Sequence, residues 1–147
     1  MSKTVVGAAI GAAIVATVVC AGPGSAGGVQ RISATSIDDI DWTELPDGRA
    51  IVTVHGDRQV GEHTTFVRFP AGFRTALHIH SNSYDGVVVQ GTARHYEPRP
   101  GEPEQWLRAG SFYRVPAGVP HVSECSGDAD CIFAIHQHGP FDRSVVE

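Results

Sequence analysis

Lysine is almost absent from this chain. Lys3 is the only one, and eleven basic residues stand against sixteen acidic ones for a formal charge of −5. No cluster of basic residues occurs anywhere, which removes the electrostatic footprint that nucleic-acid binding requires. Long helical periodicity is missing, as are internal repeats, coiled-coil heptads and low-complexity core segments, and what remains points to a compact β-rich fold. At 147 residues the chain fits one domain and leaves no room for a second of ordinary size. Cysteine is scarce too. The three present provide no second cysteine pair, which argues against a metal site built from cysteine pairs.

The N-terminus reads "MSKTVVGAAIGAAIVATVVCAGPGSAGG": one basic residue, an apolar run from Val5 to Val19, then small residues with Pro and Gly. That is the three-part layout of a secretory signal peptide, with cleavage after Ala21 or Ala26. An uncleaved membrane anchor is the competing reading, but the run is short for a bilayer span and diluted by Gly and Ala. The "TVV" before Cys20 lacks the small residue that lipid attachment prefers. The expected organisation is therefore a signal peptide over 1–26, an acidic arm or linker over 27–45, and a barrel domain over 46–147. A secreted or periplasmic location follows, with no stable membrane association after processing. Removal of the segment takes Lys3 with it and changes the formal charge from −5 to −6.

Processing also removes Cys20 and leaves Cys125 and Cys131 as an even pair in "CSGDADC". The intervening loop is hairpin-like, so the two can meet across strands and form a disulfide in an oxidising compartment. Two buried free thiols are the alternative. A bridge closing so short a loop contributes roughly 2 kcal/mol at most through chain entropy.

Between residues 50 and 138 the chain breaks into short β-branched pieces. Ala50 to His55 and His63 to Phe69 are separated by "HGD" and "VGE"; "FRTALHIH", "YDGVVVQGTARHYE", "EQWLRAGSFYRVPAGVPHVSEC" and "CIFAIHQH" follow, punctuated by Gly, Pro and Asn. Such spacing predicts an antiparallel sandwich or barrel. The Pro-rich tract from Glu97 to Glu104 reads as a surface loop. Phe66, Phe69, Val87, Val89, Trp106, Phe112, Tyr113, Val115, Ile132 and Phe133 are the expected core between two sheets. Arg68, Arg74, Arg94 and Arg114 read as solvated strand faces, although an arginine inside the barrel would indicate a carboxylate ligand.

His78 and His80 lie two apart on a strand and so present both rings to one face. A lone H-x-H is weak evidence. The stretch "GSFYRVPAGVPHVSEC" adds His121 after a Pro-Ala-Gly turn, and neutral imidazoles suit zinc, iron, nickel, copper or manganese. At this point the chain resembles the cupin superfamily. Gly72, five residues, His78-Ile79-His80, three residues, Tyr84, six residues and Gly91 match the first cupin motif, with Tyr84 in its glutamate slot. Gly110, five residues, Pro116-Ala117-Gly118, two residues, His121, three residues and Cys125 match the second, with Cys125 in its asparagine slot.

The resemblance implies an all-β, cupin-type double-stranded β-helix, a jelly-roll barrel, in which His78, His80 and His121 hold a divalent ion (Fe, Mn, Ni, Cu or Zn). Three outcomes follow for the fourth ligand position. The centre has three histidines and open positions, or Asp85 supplies a carboxylate, or no metal binds. Tyr84 reads as an acid, base or hydrogen-bond donor toward a bound small molecule, or as a rim aromatic with its hydroxyl in solvent. Asp85 reads first as a turn residue. His136 and His138 share a face of the last strand, where His136 is either a further ligand, a proton shuttle or a rim group. His55, His63 and His95 have no partner in sequence, and His63 is the one best placed to line the pocket. The implied function is an exported mononuclear metalloenzyme acting on a small molecule by dioxygenase-like, lyase or isomerase chemistry. The alternatives are a non-catalytic small-ligand or metal-sensing barrel and, last, a structural protein. A homodimer through edge strands, using Val29 to Leu45, is compatible with this reading.

Overall fold

A computed structural model describes residues 31–101 and 105–146. The chain divides at residue 34. Of the first unit only 31–34 are described, exposed and outside any helix or strand, so the expected signal peptide lies outside the described residues. The second unit contains one 3-10 turn, Ile37–Asp39, capped by the Ser36 hydroxyl. Its eleven strands are β1 (Thr43–Glu44), β2 (Ala50–Gly56), β3 (His63–Phe69), β4 (His78–Ile79), β5 (Tyr84–Gln90), β6 (Thr92–Tyr96), β7 (Leu107–Arg108), β8 (Phe112–Val115), β9 (Val122–Cys125), β10 (Cys131–Gln137) and β11 (Ser144–Val145).

Six strands form the larger antiparallel sheet in the order β1-β2-β3-β10-β5-β8. The smaller layer contains β7-β6-β9 and β11-β4. Isolated bridges Arg74↔Glu124 and His78↔His121 join these two pieces through β9. Two antiparallel layers with non-sequential neighbours are the jelly-roll arrangement expected from the motifs. β1 falls within the acidic stretch read as an arm, and it pairs with β2 at the edge of the larger sheet. The Pro-rich tract after β6 joins it to β7, its neighbour in the smaller sheet.

Period-two alternation decides what enters the core. On β5, Tyr84, Gly86 and Val88 are buried, while Val87 and Val89 point out at 43% and 37% exposure. On β8, Tyr113 and Val115 turn inward and Phe112 stands 80% exposed. The expectation that Val87, Val89 and Phe112 fill the core is thus corrected, and the reason is register: Val87 and Phe112 are direct partners on the outer face. Trp106, also expected inside, is 40% exposed and lies under the Arg94 guanidinium at 4.8 Å. The core proper is built on Phe69, Tyr84, Val88, Tyr113, Val115 and Phe133 with the two cysteines.

Cys125 and Cys131 are disulfide-bonded, with Cα atoms 5.8 Å apart. They do not face each other across one hairpin. Cys125 ends β9 in the smaller sheet and Cys131 begins β10 in the larger, so the bond staples the two layers beside the core. Both cysteines are essentially inaccessible. Replacing the pair with alanines removes a constraint worth roughly 2 kcal/mol on the unfolded chain. The expected outcome is a melting temperature about 5–10 °C lower for Cys125→Ala/Cys131→Ala, measured by calorimetry.

Candidate metal centre

The site grows from one short strand. On β4, His78 turns into the space between the layers, and His80 follows on the same face two residues later. His121 arrives from the second motif. It exchanges two backbone hydrogen bonds with His78, at 2.9 and 3.1 Å, and directly paired residues project to the same side. The turn before it is closed by Gly118, which adopts φ +74° and donates its N–H to the His80 carbonyl at 2.8 Å. All three rings are buried, with centroids 4.3–5.4 Å apart, and their ligand atoms lie within 4.8 Å of one another.

Each ring has one nitrogen committed elsewhere. His78 Nδ1 donates to the Ala76 carbonyl at 2.9 Å, His121 Nδ1 to the Val119 carbonyl at 2.9 Å, and His80 Nδ1 to the Asp142 carbonyl. A carbonyl only accepts, so Nδ1 carries the proton in all three and Nε2 presents its lone pair. Backbone hydrogen bonds of this kind fix tautomer and ring orientation in metal-ligating histidines. Burial depresses all three pKa values, that of His78 to about 4, with the neighbouring histidines and Arg143 adding to the effect. The imidazoles are therefore neutral at neutral pH, the form a cation needs. The donor set fits a divalent ion of the zinc, iron, nickel, copper or manganese kind.

Tyr84 is 4% exposed, and its hydroxyl donates to His121 Nε2 at 2.9 Å. It is a wall of the site rather than a rim aromatic in solvent. Burial pushes its pKa well up, so the phenol is neutral. Asp85, one residue on, lies inside β5 rather than in a turn and points to the outer face. There it meets His138 at 3.0 Å and Arg114 at 3.8 Å, so it contributes nothing to the histidine cluster. His136 and His138 do share a face, but it is the outer one. His136 contacts Thr64 and Glu62, and the residue between the two histidines, Gln137, faces the cavity instead.

The cavity itself is about 70 Å3. His63 lines it as expected, its Nδ1 held by the Gly61 carbonyl at 3.0 Å. Sequence reasoning missed other residues of its wall, four of them histidine or arginine. His95 stacks on Tyr113 at 3.7 Å and shares a hydrogen bond with Ser123 at 2.9 Å, and burial takes its pKa down to about 3. Arg49, Arg58 and Arg143 also face the space. Only His95 sits on a strand with a readable period; Arg49, Arg58 and Arg143 come from turns and the C-terminal segment, where no periodicity announces orientation. Arg68, Arg74, Arg94 and Arg114, by contrast, pair with Glu44, Glu124 and Asp85 on outer faces.

A family model described as "Domain of unknown function (DUF4437)" matches residues 37–146. The chain belongs to the DUF4437 family. No curated protein matches the sequence. Among solved structures, the DUF4437 chain is similar to an RmlC-like cupin protein from Ralstonia eutropha JMP134, at 22% identity and a TM-score of 0.59 over 74% of this chain and 69% of that one. It is also similar to KdgF from Halomonas sp., at 20% identity and TM-score 0.57 over 72% and 94% of the two chains. A third likeness is to the DMSP lyase DddQ from Ruegeria pomeroyi DSS-3, at 18% identity and TM-score 0.57 over 71% and 60%. At these identities the likeness establishes the cupin fold.

The depressed histidine pKa values set a pH dependence. A histidine at 6.5 unfolded and about 3 folded takes up its proton first in the unfolded chain, so its contribution is complete above pH 6.5 and is lost as pH falls toward 3. For His95 alone the loss at pH 5 is roughly 1–2 kcal/mol. The metal-free protein should melt progressively lower between pH 7 and pH 4, and His95→Phe should flatten part of that slope. Parallel slopes for the two proteins would show that His95 is not held neutral.

Proposed function

We propose that this protein is an exported mononuclear metalloenzyme of the cupin fold that acts on a small molecule by proton transfer, in the manner of a lyase or isomerase. The observation that carries the reading is the convergence of three Nε2 atoms, each fixed by a backbone carbonyl, on a point beside the Tyr84 hydroxyl. His78, His80 and His121 would hold a divalent ion, and Tyr84 takes the position that a carboxylate occupies in the superfamily's first motif. A bound ion supplies Lewis acidity, polarising an oxygen of the substrate and lowering the pKa of groups near it.

The chain's own residues do the rest. Tyr84 keeps its proton at neutral pH and its hydroxyl lies beside the histidine cluster, so it is the group placed to donate a hydrogen bond, and with it a proton, to a bound molecule. His95 holds a neutral ring against the same space, His63 lines it, and Phe133, Phe69 and Phe141 give it an apolar wall. A lyase among the similar structures supports this chemistry without deciding it. Export is supported by the disulfide and by the N-terminal layout. Among the described residues no helix is long and apolar enough to cross a membrane.

Elemental analysis of the chain, purified without chelating resin, tests the first half of this reading. About one equivalent of a single transition ion is expected, falling at least tenfold in His78→Ala/His121→Ala. No ion in either protein after reconstitution would defeat it and leave a metal-free binding barrel. Tyr84→Phe tests the second half. Because three histidines suffice as ligands, the variant should retain its ion and melt within a few degrees of the parent. Loss of the ion from Tyr84→Phe would make Tyr84 a ligand instead of a proton carrier.

A further inference from the structure

The charge inside the cavity is one-sided. Among the described residues, three arginines face it and no aspartate or glutamate does. Arg49 is accounted for: its guanidinium is bonded to Asp47 at 2.7 Å. Arg58 and Arg143 form no ion pair among the described residues, and the Nε of each is buried without a hydrogen-bond partner. A buried donor left unpaired costs about 1–3 kcal/mol, more when it is charged, and native structures rarely keep two such groups on residues that line one space. Gln137 Nε2, on the floor of the same cavity, is a third unpaired buried donor.

Both arginines are tied to the wall that carries His80. The Arg58 guanidinium lies 4.2 Å from the Phe141 ring, and that ring is 5.6 Å from His80. Arg143 follows Asp142, whose carbonyl holds His80 Nδ1. Its charge is felt at His78, His80 and His121, and Arg49 in turn bears on both Arg58 and Arg143. Asp47 offsets part of this at Arg143, but neither Arg58 nor Arg143 has an ion-pair partner among the described residues, and an anion in the cavity would supply one.

We infer that the cavity binds a small organic acid, with the ligand's carboxylate gripped by Arg58 and Arg143 and its other polar end directed at the histidine cluster and Tyr84. The inference rests on the metalloenzyme reading only for what happens at that second end. An Nε edge on each of two guanidiniums offers the side-on pair of donors that a planar carboxylate accepts. The space suits a molecule of a few carbons: about 70 Å3, against the about 10–15 Å3 that a single water requires. Apolar wall between the arginines and the histidines, from Phe133, Ile135 and Phe141, would hold the carbon body of such an acid, which inorganic phosphate lacks.

Titration calorimetry on the metal-free full chain tests this, with acetate, lactate, malonate and succinate as ligands, lactamide and succinamide as uncharged counterparts, and inorganic phosphate as the competing anion. At least one carboxylate should bind, its amide should not, and Arg58→Gln and Arg143→Gln should each weaken binding at least about tenfold, as loss of a charge-assisted pair implies. Arg143→Lys, which keeps the charge without the fork, should fall between parent and Arg143→Gln. Melting curves identify any variant that is not folded, and the two arginines provide independent routes. Binding that survives in His78→Ala/His121→Ala would separate the arginine clamp from the metal centre, so that either can fail alone. Absence of binding by all four acids, equal binding of the amides, tighter binding of phosphate, or undiminished affinity in both glutamine variants would each overturn the inference.

Discussion

Two backbone hydrogen bonds between His78 and His121 hold the centre of this protein together. They continue a series of backbone bonds that runs from Phe73–Cys125 through Thr75–Ser123, and together these fix the separation of two segments in which His78 and His121 lie 43 positions apart. Once that pair is made, His80 follows from the two-residue repeat of the strand. The tautomers follow from carbonyls at the same turns: His78 and His121 each use the carbonyl two residues back. A ligand set assembled this way is rigid before any ion arrives, because each ring is fixed by main chain rather than by another mobile side chain.

The replacement of a carboxylate by Tyr84 changes the electrostatics of the whole cavity. Three neutral imidazoles and a neutral phenol leave the charge of a divalent ion uncompensated. The described walls add Arg58 and Arg143 and no acid, so with an ion bound the negative charge would come with the ligand. On the proposed reading, a cavity built on carboxylate ligands would tolerate neutral or cationic molecules, whereas this one would select against cations twice, at the metal point and at the arginines. Tyr84 also keeps a proton at a position where a carboxylate would have none. Substituting one side chain thus alters both what can enter and what chemistry is available there.

Much of the architecture was legible because it rests on spacing. The glycine, histidine and proline intervals of the two motifs indicate the jelly roll and the clustering of the three histidines, while they leave Tyr84 open between site group and rim aromatic. Where the reading failed, it failed on facing direction. Alternation along β5 and β8 puts Val87 and Phe112 outside, and hydrophobicity alone had suggested the reverse. The pair His136 and His138 was rightly placed on one face, but that face is fixed by the register with β3 and β5, which no local pattern reveals. Arg58 and Arg143 were beyond reach for a different reason. They lie in a turn and in a C-terminal segment, and only long-range folding brings them to the same space.

The disulfide has a place in the same argument. β9 begins directly after His121 and ends at Cys125, and Cys131 opens β10, whose inward residues Phe133 and Gln137 form part of the cavity wall. The bond therefore ties the strand that follows His121 to a strand that forms part of the cavity wall. A cavity between two layers is exposed to changes in their separation, since neither sheet's own hydrogen bonds resist motion across the gap. Packing of Phe69, Val88 and Phe133 resists it with many weak contacts. A covalent link at one end resists it with a single strong one.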